Sequence, residues 1–190
     1  LKASFVWVGM TQITLVGSVD KMRLGVPKEP DNETRVAIVP SSLKKLLKAG
    51  FEVSIEKGAG ISANYLDEEY ESSGAKIVSR QEVLACENII CINYPGVEGI
   101  GENTNLACVA DPFRNPNFVK ECLAANITLM SMDMIPRRLS RAQSMDVNSS
   151  QDNLAGYKAV LLGAANVPKG IPMMTTSAGT VRPAKVVVMG

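Results

Sequence analysis

The sequence contains no histidine. That absence removes Ser-His and Cys-His nucleophile pairs, the usual zinc sites and the commonest general base. Any acid, base or nucleophile must come from carboxylates, Lys, Tyr or Cys, which need special surroundings to work near neutral pH. An excess of charge of one sign is also missing. Twenty Lys and Arg stand against 19 Asp and Glu, for a formal charge of +1 and a pI of about 7.8. Such a balance leaves no electrostatic footprint for a nucleic acid or an anionic membrane surface. The four cysteines, Cys86, Cys91, Cys108 and Cys122, include no C-x-x-C pair and lie on apolar stretches. They suit free buried thiols in a reducing compartment better than a disulfide frame. No uncharged run reaches the ~20 apolar residues of a membrane span. Residues 3–19 come nearest, but Thr11, Gln12, Thr14 and Ser18 interrupt them. With Lys2 in front and small residues near Gly17, a secretory signal is another reading of this stretch. Residues 1–21 are expected to be a leader, an appended remnant or a misplaced start, because Met22 opens a better domain start.

What is present is the length and composition of one or two ordinary domains: 190 residues, 46% hydrophobic and 21% charged. From Met22 onward, short β-like runs alternate with helix-like ones. Strands are expected at residues 22–26, 51–55, 75–78, 88–93, 105–110 and 127–131. A helix starts at Pro40, Ser41 and Ser42, presents Leu43, Leu46 and Leu47 on one stripe, and ends before Gly50. Two more helices are expected at 68–73 and 117–125. This alternation predicts an open α/β fold, a parallel sheet with helices on both faces, since parallel strands need crossover connections. After Pro136 the character changes. Arg137, Arg138 and Arg141 crowd a polar loop that runs to Asp146. A helix is expected from about 149 to 165 with Leu154, Tyr157, Val160 and Leu161 on its apolar face, then a Pro- and Gly-containing loop and a β-like run at 184–189.

Several segments could carry chemistry. A strand followed by Gly190 is how a dinucleotide-binding turn opens, and equally how any strand ends in a turn. Gly58, Ala59 and Gly60 could cradle phosphate or form a tight turn. Residues 136–146, PRRLSRAQSMD, offer guanidinium forks for phosphate, an amide for a carboxamide and a carboxylate for ribose hydroxyls. A solvated, salt-bridged loop has the same composition. Arg35 could hold a substrate carboxylate or pair with Glu33. Asp111 and Arg114 are open in the same way.

The segments MRLGVPKE (22–29), NETRVA (32–37), EKGAG (56–60), PFRNP (112–116), SRAQSMD (140–146), NLAGY (153–157) and AGTVRPAK (178–185) follow one another in this order. Together they resemble the alanine dehydrogenase and transhydrogenase α-subunit family, over essentially all of residues 22–190. The arginine-to-aspartate loop is the mark of the transhydrogenase branch, in which such a loop folds over the nicotinamide end of NAD(H). The resemblance therefore implies an NAD(H)-binding component of a proton-translocating transhydrogenase. It assigns Arg138, Gln143, Asp146 and Ser149 to nucleotide contact, with Ser140 and Arg141 alongside and Gly190 at the start of the Rossmann turn. Arg137 stands beside Arg138 where the family usually has one arginine, which leaves the functional place open between them.

On this resemblance, residues 22–145 form a flavodoxin-like domain, similar to the catalytic domain of formate and glycerate dehydrogenases. Residues 146–190 form the connecting helix and first strand of an otherwise missing Rossmann domain. The implied assembly is a homodimer docked on an NADP(H)-binding component and a proton-channel component. It would lie on the cytoplasmic or matrix side, peripheral to the inner or plasma membrane through its partner, with no membrane insertion of its own. Alanine dehydrogenases use a lysine and a histidine at positions that correspond to Cys91 and the region of Asp111. Hydride transfer between two nicotinamide rings needs neither, so no catalytic residue and no metal ligand is expected. An amino-acid dehydrogenase with a displaced catalytic set, and a non-catalytic dimerisation or docking fragment, are the alternatives.

Overall fold

Alternation at period two turns Leu24 and Val26 to one face of a strand and Gly25 to the other, and a computed structural model of the chain builds on that strand. The structure describes residues 21–189, so Gly190 and all but the last of residues 1–21 lie outside it. The strand is β1 (Met22–Val26), followed by α1 (Pro40–Lys48), β2 (Phe51–Glu56), α2 (Asp67–Ser72), β3 (Lys76–Val78) and α3 (Arg80–Leu84). Next come β4 (Asn88–Asn93), β5 (Asn105–Val109), α4 (Pro116–Ala124), β6 (Thr128–Ser131), α5 (Val147–Asn166), β7 (Met174–Thr176) and β8 (Gly179–Val181). The first six strands make one open parallel sheet in the order β3-β2-β1-β4-β5-β6. Without the three-residue edge strand β3, the remaining five follow the flavodoxin-like order 2-1-3-4-5. The expected open α/β sheet is therefore present.

Each face of β1 meets a different helix. Leu24 and Val26 join Leu43 of α1, Val53 and Ile55 of β2 and Tyr70 of α2 in one buried cluster. Tyr70 is wholly buried and donates its hydroxyl to the Ile38 carbonyl at 2.9 Å, so its one polar atom is satisfied. Each such large side chain contributes ~1.5–3 kcal/mol through burial. On the opposite face Gly25 lies beneath α3: a Cβ there would sit 2.5 Å from the Val83 carbonyl oxygen. Helix α3 adds to the elements expected from the sequence. It is started by a capping box, with the Ser79 hydroxyl accepting from the Glu82 N–H while the Glu82 carboxylate accepts from Ser79.

The described residues separate into two compact units, 21–108 with 116–130, and 109–115 with 131–189. In the second, α5 starts two residues earlier than expected, at Val147, and buries no residue. Leu154, Tyr157, Val160 and Leu161 are all exposed. The β7–β8 hairpin, closed by Ser177 and Ala178, was not expected either. Conversely, residues 184–189 form no strand. A β-like side-chain pattern alone does not make a strand, because the backbone needs a neighbouring strand to complete its ladder. Only Ala184 of this run has a backbone bond among the described residues, to the Ile171 carbonyl at 3.0 Å.

Candidate functional site

Strand order reverses between β1 and β4, and in open α/β sheets the crevice beyond the carboxyl ends of such strands is the usual place for a ligand. A cavity of about 230 Å³ lies there, lined by Lys28, Glu29, Glu56, Arg80, Cys91, Asn93 and Tyr94 among others. Several of its polar groups are already engaged with one another. The buried Glu29 carboxylate accepts from the backbone N–H groups of Ile92 and Asn93 at 2.6 and 3.0 Å and from the Asn93 amide at 3.2 Å. Glu56 takes the Lys28 backbone N–H at 2.8 Å and the Arg80 guanidinium at 3.0 Å.

Arg35 resolves toward the ion pair. Its Nε and Nη2 donate to the two oxygens of Glu33 at 2.8 and 2.7 Å, a bidentate fork that holds Glu33 down at about 2, well below the usual carboxylate range. On the wall of the crevice, a hydrogen bond with the Cys108 thiol, together with burial, pushes the Cys91 thiol up, so it stays neutral. Gly58 resolves toward a tight turn, since its N–H is held by the Asp67 carboxylate at 3.0 Å, which leaves that donor no phosphate to cradle. Gly60 packs so closely that a Cβ would meet Tyr70 at 2.6 Å. Asp111 adopts a φ of 42° and pairs with Arg114 at 3.5 Å.

The arginine loop is built differently. Its backbone rolls through successive turns, with Leu139 bonded to Pro136, Ala142 to Leu139, and Met145 to Ala142. Ala142 is the one buried residue of the stretch 137–146. Asp146 ends the loop and caps α5: one carboxylate oxygen accepts the Ser149 N–H at 2.9 Å and the other the Ser149 hydroxyl at 2.6 Å. These bonds, helped by Arg137, hold the Asp146 carboxyl below its ordinary value. Asp146 and Ser149 are thus brought together. Arg138, Ser140, Arg141 and Gln143 instead stand exposed, with no side-chain hydrogen bond or ion pair among the described residues. Arg137 is engaged, with its Nε 3.8 Å from Asp146 and its Nη2 donating to Asp152 at 3.0 Å.

Two supports of this loop were missed in the sequence. Asn148 donates to the Asp133 carbonyl at 2.9 Å, and the Asp133 carboxylate accepts from Ser131 at 2.6 Å and from the Ala110 N–H at 3.1 Å. The start of α5 is fastened through them to the residue that follows β5. Their only sequence signal is an Asn in a first helical turn, which is weak alone. Gly190, the remaining expected nucleotide contact, lies outside the described residues. Taken together, the loop presents two guanidinium groups, an amide and a hydroxyl beside a capped helix start, donors suited to an anionic, amide-bearing ligand.

Residues 25–155 match the model of the family described as "Alanine dehydrogenase/PNT, N-terminal domain". An NAD(P) transhydrogenase subunit alpha polypeptide of Rhodospirillum rubrum is 41% identical over 180 residues, covering 89% of this chain and 47% of its own length. Alanine dehydrogenase of Methanococcus maripaludis is 32% identical, with the same coverage of 89% and 47%. Among solved structures, the transhydrogenase from Sinorhizobium meliloti superimposes with a TM-score of 0.82 at 37% identity, covering 85% of this chain and 50% of that one. The chain spans about a third to a half of the length of the curated relatives it matches.

Proposed function

This chain belongs to the alanine dehydrogenase/PNT N-terminal-domain family, and on that premise we propose that it is a portion of the NAD(H)-binding component of a proton-translocating transhydrogenase. The family is one of oxidoreductases and implies a pyridine nucleotide. The choice of NAD(H) for this component, with NADP(H) on a partner, belongs to the proposal. One observation carries it: the loop from Pro136 to Asp146 keeps Arg138, Arg141 and Gln143 exposed and unengaged among the described residues, beside the Asp146–Ser149 cap.

In the proposed complex Arg138 donates to phosphate or carbonyl oxygens, Gln143 pairs with a carboxamide, and Asp146 accepts from ribose hydroxyls. Ser140, Arg141 and Ser149 surround them. Gly190 is proposed to open the pyrophosphate turn of a Rossmann domain into which residues 146–190 lead, after an N-terminal domain of residues 22–145. The run 184–189 would find its missing strand neighbours in that domain. Among the described residues no helix is long and apolar enough to cross a membrane. The proposal gives proton conduction to a partner component, on which a homodimer docks peripherally.

The chemistry asked of the protein is positioning. The two nucleotides would supply the hydride chemistry when bound, and Arg138, Gln143 and Asp146 would serve to hold the nicotinamide end in place, with no protein acid or base required for the hydride step. A chain without histidine is suited to that task. Amino-acid oxidation would need a base and a carboxylate-binding cation, whereas Cys91 is a neutral thiol and Arg35 is clasped by Glu33. The test is NADH calorimetry on the 190-residue chain and on the polypeptide extended through the complete Rossmann domain. Binding by the extended form, weakened by Gln143→Ala and Asp146→Asn, is expected. Binding by neither form, or alanine-dependent reduction of NAD by the extended one, would overturn the proposal.

A further inference from the structure

Two adjacent arginines, Arg137 and Arg138, stand at the head of the loop, and their guanidinium groups have unlike surroundings. Arg137 reaches back over the start of α5. Its Nε lies 3.8 Å from Asp146 Oδ1 and its Nη2 donates to Asp152 Oδ2 at 3.0 Å. These two carboxylates are six residues apart, on the cap and the second turn of the same helix. A single side chain at the beginning of the loop therefore bridges two points at and beyond its end. Arg138, one residue on, has no such partner among the described residues.

We propose that Arg137 is a positioning residue: by clasping Asp146 and Asp152 it closes the loop 137–146 onto the first turns of α5, and so presents Arg138 as the nucleotide-facing guanidinium. The nucleotide half of this statement rests on the function proposed above, while the clasp stands on geometry alone. The physical logic is pre-organisation. A loop whose two ends are already tied has less chain entropy to lose when its middle closes on a ligand. An arginine suits this better than a lysine, because its planar fork holds separate donors at fixed positions toward two acceptors at once. Both ion pairs are exposed on at least one side, and exposed pairs contribute modestly and yield to salt. The clasp is therefore a bias on the loop rather than a lock.

The test has two readouts. In the 190-residue chain, amide exchange is followed at residues 138–150 for Arg137→Ala, Asp152→Ala and Arg138→Ala. The first two variants are expected to speed exchange by roughly two- to fivefold, with no further gain when combined, and about 0.5 M salt should erase the difference. Arg137→Lys should restore only some of the protection, and Arg138→Ala should leave it unchanged. Unaltered exchange in Arg137→Ala, or an equal change in Arg138→Ala, would overturn the clasp.

In the extended polypeptide, Arg137→Ala and Asp152→Ala should each raise the NADH dissociation constant by roughly two- to fivefold, again without adding to each other. A loss for Arg137→Ala as large as that for Arg138→Ala, and additive with Asp152→Ala, would make Arg137 a nucleotide ligand and end the positioning role. Failure of the unaltered extended polypeptide to bind NADH would sink the nucleotide reading of the loop. The exchange result would still decide the clasp.

Discussion

Where β1 and β4 end, Glu29 fills the backbone donors of Ile92 and Asn93, Arg35 forks onto Glu33, and Glu56 gathers Lys28 and Arg80. Between Pro136 and Asp146 the same kinds of side chain are present, yet Arg138, Arg141 and Gln143 make no such bonds among the described residues. As sequence, both stretches look equally able to hold an anionic ligand. The difference teaches that charged residues at a favourable place in a fold are not thereby a site. In the crevice they satisfy one another and hold strands together, while in the loop Arg138, Arg141 and Gln143 stand open to solvent.

The sharpest way to break this comparison is Glu29→Ala. It would leave two N–H groups of β4 without their acceptor, and is expected to cost about 3 kcal/mol in urea unfolding while NADH affinity is kept. A stable Glu29→Ala protein with impaired NADH binding would reverse the assignment of the two regions. Gly25→Ala follows, since its methyl would press on the Val83 carbonyl; a loss of about 2 kcal/mol by thermal or urea unfolding is expected. Arg138→Ala should act the other way round, weakening NADH by roughly tenfold, with stability changed by less than ~0.5 kcal/mol.

The smallest effect is one of pH. Glu33 is held at about 2 against its ordinary 4.5, so the stability it contributes is fully present above pH 4.5 and is lost as pH falls toward 2. Glu33→Gln should flatten the unfolding midpoint across that interval. An unchanged acid limb in this variant would mean that other carboxylates carry the acid sensitivity.

Most of the sheet is legible because burial imposes a period on each strand, and β1, β2, β4, β5 and β6 all show it within a few residues of sequence. Helix α3 leaves a fainter trace. Ser79 and Glu82 stand at capping-box spacing, but only five helical residues follow, too few for an apolar stripe to draw attention. The Arg35–Glu33 pair can be foreseen as one of two alternatives because its partner is two residues away. Glu29 cannot, since the N–H groups it fills are 63 and 64 residues distant and meet it only through the order of the strands. The loop's residues are recognisable by type and order. Their division into an engaged Arg137 and an unengaged Arg138 depends on Asp152, whose position relative to the loop follows from how α5 begins. The run 184–189 misleads because propensity belongs to side chains, whereas a strand exists only with a second strand beside it.

All four cysteines are buried, and all four belong to the sheet unit, with none in residues 131–189. A thiol-specific reagent is therefore blind to the arginine loop and the hairpin, and sees the sheet only when it opens. The chain thus carries an internal chronometer of one unit alone. The rate at which thiols become modified in the native protein times the opening of the crevice and its strands, and a nucleotide that merely orders the loop should leave that clock running at its former speed.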